Sequence, residues 1–148
     1  MMDLLFSVIF MMVASFIIQY TIMSAIMTNS LDNIYNSLGK IYMSTIMALL
    51  MGLVEVTMYD YSMDTISYNY YIIITVFLLF FINIYKKQIF VGDIEYIKEM
   101  IEHHSMALQT SSRILEKTNN LEIRQLAQNI RDSQKEEIEI MKKMLNKM

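Results

Sequence analysis

Polar and apolar positions divide the chain into five helical segments. From Leu4 to Leu31 there are 28 residues without a charge, more than the roughly 20 that a helix needs to cross hydrocarbon. The pattern predicts a first spanning helix over about residues 4–27. A cleaved secretory leader fits poorly, because Asp3 stands where such a leader carries Lys or Arg and the apolar run is too long. Residues 28–38 are rich in Asn and Ser and read as a short loop. A second apolar segment over about 41–59 is broken only by Glu55. A tight acidic loop at 60–64 leads into a third, 65–85, which has 21 uncharged residues. Tyr68, Tyr70 and Tyr71 open that segment and Tyr85 closes it, as aromatic residues do at membrane–water interfaces.

After residue 92 the pattern changes to stripes. Ile94, Ile97, Ile101, His104, Leu108, Ser111 and Leu115 recur in steps of three and four, which places them on one face of a helix over about 93–117. Asp93 is the expected N-cap, and Glu95 suits the positive helix end. Asn119 and Glu122 have the spacing of a capping box for a second helix over about 120–147. Its stripe is Ile123, Ala127, Ile130, Gln134, Glu137 with Ile138, Met141, Leu145 and Met148. A short turn makes the two an antiparallel hairpin. The fold expected is all-α: a membrane domain over 1–87 with three transmembrane helices, then a helical hairpin over 88–148.

Charge sharpens this division. Residues 1–85 carry one Lys and five acids, whereas residues 86–148 carry eleven Lys or Arg and ten acids. Neither half is basic enough to suggest nucleic acid as a partner. The expected partners are the lipid bilayer and further copies of the chain, since a lone hairpin leaves apolar surface uncovered. Lys86 and Lys87 follow the third span, and by the lysine rule they put the hairpin on the cytoplasmic side of a multi-pass membrane protein. The absence of Cys excludes disulfides and thiolate chemistry, and three Gly leave no phosphate-binding loop. No nucleophile triad, zinc-protease pattern or di-iron Glu-x-x-His spacing is present, so no enzyme activity is expected. Sixteen Met are either apolar filler or soft copper ligands. The same two readings apply to the row Met43, Met47 and Met51. Glu55 is either an intramembrane functional carboxylate, as in a transport pathway, or a helix-end residue reached by water.

The stripes of the hairpin are interrupted by polar residues at the same height. With about 1.5 Å of rise per residue in both helices, residues equidistant from a turn near 119–120 are level. His103 and His104 then meet residues 135 and 136, between Gln134 and Glu137. One cluster is expected: His103, His104, Gln134 and Glu137, with Met100, Met106 and Met141 around it. Successive helix positions are about 100° apart, so only one of the two His can enter the seam. A His/Glu/Met set without Cys suits copper. It equally suits a hydrogen-bonded polar layer that locks helix register.

The run Asp93, Met100-Ile101-x-His103-His104-x-x-Ala107, Leu126-Ala127-Gln128, Gln134, Glu137-Ile138 and Met141 resembles the DUF305 family over roughly residues 92–146. The resemblance implies a ferritin-like hairpin that pairs into a four-helix bundle. It also points to the family's CopM-like periplasmic copper binders, a setting opposite to the one the lysines indicate. Some members resemble this chain further in having N-terminal spanning helices, with a loop matching Leu31 to Tyr35 followed by Tyr42-Met43 and Met51-Gly52. Two positions depart from the family pattern. Thr110 stands where Met is usual and Glu102 where Pro is common. The lost Met removes a soft ligand, for which Met106 can compensate. The site expected on this basis is a copper site of His103, His104, Met100, Met106, Glu137 and Met141.

Overall fold

A computed structural model describes residues 3–148. Every regular element among them is helical. The helices are α1 (Leu4–Ile17), α2 (Ser24–Met27), α3 (Leu38–Met63), α4 (Tyr68–Lys86), α5 (Asp93–Leu115) and α6 (Leu121–Leu145). A π-helical stretch, Ile18–Met23, joins α1 to α2, and a 3-10 turn covers Leu31–Asn33. The chain forms two compact units. One contains the residues up to Ile22 and Gly39–Phe90; the other contains Met23–Leu38 and Val91–Met148. The segment between the first and second long helices therefore belongs with the hairpin, although the sequence pattern shows it only as a short polar loop.

Among the described residues, three helical stretches are long and apolar enough to cross a membrane: Leu4–Met27, Leu38–Met63 and Tyr68–Lys86. The second extends three residues before and four beyond the expected 41–59, and helix continues through the acidic residues to Met63. The turn that follows is organised by Asp60. Its carboxylate accepts hydrogen bonds from the Ser67 amide at 2.8 Å and the Ser67 hydroxyl at 2.7 Å. Asp64 reverses the chain with φ 50°.

In the first unit, α3 pairs with both α1 and α4. Ser7 donates to Glu55 while Met12 faces Gly52, so α1 and α3 run antiparallel. Tyr71 reaches Thr57 while Ile74 faces Gly52, so α4 is antiparallel to α3 as well. Leu4, Val8, Leu49, Val56, Ile74 and Leu78 form the buried centre. Ser44, Ala48 and Gly52 recur every fourth residue and are all buried. Small side chains at that spacing allow helices to approach closely. A Cβ on Gly52 would lie 3.0 Å from Met12 Cγ and Sδ. The outward faces are apolar too: Phe6, Ile9, Phe10 and Val13 on α1, and Ile73, Val76, Phe77 and Phe80 on α4 are exposed.

The second unit is the α5–α6 hairpin with residues 23–38 laid on one side. Its core is Ile97, Ile101 and Ile138, packed with Tyr35, Leu108, Met141 and Leu145. Full burial of an Ile is worth about 1.5–3 kcal/mol. With so few buried aliphatic residues, the hairpin depends on what covers it.

Candidate functional site

The polar layer foreseen in the hairpin forms around His104. Its ring sits in the α5–α6 seam, and Nδ1 lies 2.8 Å from Glu137 Oε2. This is an ion-pair distance, but the approach lacks the alignment of a hydrogen bond, so the buried Nδ1 has no aligned partner. Glu137 is tied on its own helix: Ser133 Oγ donates to Oε1 at 3.0 Å, and Gln134 Nε2 approaches Oε2 at 3.4 Å. Thus His104, Gln134 and Glu137 share one layer. Both helices are continuous here, without Pro or Gly, so helical pitch alone sets the heights.

The other candidates stand on α5 and α6 around this pair. His103 is more than half exposed, and its Nε2 is 3.9 Å from Glu99 Oε1 on the same helix. That carboxylate holds the His103 pKa above its ordinary value, against a smaller opposing effect of burial. Met100 precedes His104 by one turn and is half-buried. Met106 is two positions past His104, about 200° around the helix. Met141 packs against Ile97, Ile101 and Ile138 in the core. Among the described residues no group of three or more His, Asp or Glu is close enough to hold a metal ion. One chain therefore brings His104 and Glu137 together as a pair.

Both helix starts differ from expectation by one residue. The cap of α6 is Asn120, not Asn119, and its Oδ1 accepts from the amides of Glu122 at 2.9 Å and Ile123 at 3.2 Å. A capping oxygen serves the second and third helical amides, and Thr118 fixes which residue occupies that place. Its carbonyl accepts from Arg124 at 2.7 Å and its hydroxyl accepts from the Asn120 amide. At α5 the cap position is Gly92, with no side-chain cap, and Asp93 is the first helical residue.

A second polar centre was missed in the sequence. Ser105 is fully buried, and its hydroxyl accepts from the Asn29 amide at 2.9 Å and from Asn33 Nδ2 at 3.1 Å. Glu95 accepts from the Leu38 amide at 2.8 Å and from Lys98 Nζ at 2.9 Å. The Lys98 hydrogen bond is the main influence lowering the Glu95 pKa. Gln109 donates to the Ile26 carbonyl. These contacts fasten residues 26–38 along one face of α5. The signal in the sequence was Ser105 itself, a small polar residue between Ile101 and Leu108 on the buried face.

Residues 93–148 match the family described as Domain of unknown function (DUF305). The chain is also similar to the uncharacterised protein L153 of Acanthamoeba polyphaga mimivirus. The two are 31% identical over 139 residues, which cover 94% of this chain and 91% of the relative. The similarity therefore extends through the apolar half as well as the hairpin. No solved structure matches the chain significantly. The chain thus carries a DUF305 domain over residues 93–148 and belongs, over nearly its whole length, to one family with the mimivirus protein L153.

Proposed function

We propose that the protein is a membrane-anchored, non-enzymatic interaction module in which the hairpin pairs with that of a second copy. In this reading the His104–Glu137 layer sets the register. The observation that carries it is the coincidence of His104, Glu137 and Gln134 at one height in the α5–α6 seam. Residues 26–38 cover one side of the hairpin. The side bearing Ile123, Leu126 and Ile130 remains exposed, which suits a four-helix bundle. The three apolar stretches with their exposed outward faces support anchoring in a bilayer. By the lysine rule, Lys86 and Lys87 assign the hairpin to the cytoplasmic side.

Metal binding, with copper preferred, is the second reading. It is favoured by the buried His104 Nδ1 that lacks an aligned partner beside a carboxylate. His104 and Glu137 would be the ligands, with Met100 one turn away; two hairpins pairing across this layer would double the set. His103 instead faces Glu99 on its own helix.

One experiment separates the readings. The full chain in mild detergent is titrated with Cu(I) and Cu(II) against a competing chelator, and its mass is measured by light scattering, for the parent, His104→Ala and Glu137→Gln. A dimer that dissociates or melts earlier in both variants, without competitive copper binding in the parent, supports the interaction module. Competitive binding lost in both variants supports the metal reading. A monomeric parent overturns pairing.

A further inference from the structure

We propose that the turn after α4 is an interfacial anchor, in which the Phe90 ring enters the upper acyl region of one leaflet and Lys86 and Lys87 contact its anionic headgroups. This rests on the membrane-spanning reading of α4. The turn places a large aromatic residue in a conformation that disfavours it. Phe90 has φ 63° and Gln88 has φ 49°. Left-handed positions ordinarily take Gly or Asn, and a bulky residue there is an outlier. Gly92 lies only two residues on and has φ −92°.

The turn is nevertheless firmly held. The amides of Lys87, Gln88 and Ile89 donate to the carbonyls of Asn83, Tyr85 and Ile84 at 3.1, 3.1 and 3.2 Å. From α3 the buried Tyr42 donates its hydroxyl to the Ile89 carbonyl at 3.0 Å. Strain retained by surrounding bonds in this way marks a position with a task. Here the result is a Phe side chain 83% exposed. In water that ring would add an apolar surface to a strained backbone with nothing in return. At a bilayer surface both features serve a purpose, because aromatic rings partition to the headgroup level. Adjacent Lys residues extend their charged ends to anionic lipid. The apolar face of α4, with Phe77 and Phe80 exposed, leads directly to this turn.

The chain has no Trp, so a single introduced Trp is a clean reporter. Phe90→Trp and, as a depth reference, Phe77→Trp are placed in the full chain in phosphatidylcholine vesicles with increasing phosphatidylglycerol. The lipids are brominated near either the carbonyl or the methyl end of the chains. We expect Phe90→Trp to emit to the blue, resist aqueous iodide and lose most of its emission to the carbonyl-end bromines. Phe77→Trp should favour the methyl-end bromines. Quenching of Phe90→Trp should deepen with phosphatidylglycerol, and that dependence should vanish when Lys86→Gln and Lys87→Gln are added. If Phe90→Trp is red and iodide-quenched while Phe77→Trp is lipid-quenched, the anchor is overturned and the spanning reading stands. No lipid quenching at either position overturns both. Blue emission that is not lipid-quenched and reddens on dilution in lipid means that a second copy covers the ring, which also overturns the anchor.

Discussion

His103 and His104 are neighbours in sequence with opposite environments. His104 is enclosed in the seam against Glu137, and His103 faces outward toward Glu99. Because the folded His103 pKa is raised, its contribution to stability is fully present below its ordinary value near 6.5. The contribution is lost as pH rises through the raised pKa. Glu99→Gln should therefore lower the His103 midpoint, read from the imidazole proton shift by NMR, and should leave the His104–Glu137 pair intact. An unchanged midpoint would show that Glu99 is not the cause. The shift in global stability should be small, since the His103 side chain is more than half exposed and the contact is long, at 3.9 Å.

Each helix of the hairpin depends on a few polar contacts at its ends or on its buried face. Asn120→Ala removes the acceptor for two amides of α6. It should cost about 1 kcal/mol in denaturant unfolding, whereas Asn119→Ala should cost far less; equal effects would contradict the observed cap. Ser105→Ala should act differently. The hairpin helices remain, but the Asn29 amide and the Asn33 side chain lose their acceptor. We expect faster hydrogen exchange at Asn29 and earlier proteolysis within residues 29–37, with helix content by circular dichroism unchanged. Protection equal to the parent's would mean that Glu95 and Gln109 hold the segment by themselves.

The three long helices pack through small residues at the centre of α3. Gly52→Leu would force the Met12 and Ile74 side chains aside. Overpacking of this kind costs about 1–3 kcal/mol, so the full chain in detergent should melt measurably earlier. Gly52→Ala should be nearly neutral, because the nearest atoms belong to the flexible end of Met12. If Gly52→Leu melts with the parent, the close α1–α3 approach is wrong. No comparable sensitivity is expected at Phe77, whose side chain points outward.

Length and periodicity are local properties, and they alone determined much of this protein. They set the three apolar stretches, the antiparallel hairpin and the shared height of His104, Gln134 and Glu137, because helical rise converts residue number directly into position. The Asp60–Asp64 run misled for a related reason: charge there suggested a loop, whereas Asp60 receives Ser67 from beyond the helix end. Tertiary structure decided the rest. Only long-range contacts turned residues 23–38 from a linker into a cover for α5, centred on Ser105, and no period encodes a partner more than seventy residues away. Packing also decided that His103 faces outward, that Met141 belongs to the core and that Thr118 shifts the α6 cap to Asn120. The left-handed Phe90 has the same origin, since Tyr42, from a different helix, holds its turn in place. Local preference sets what each segment can be; the groups that meet it from far along the chain select among those options.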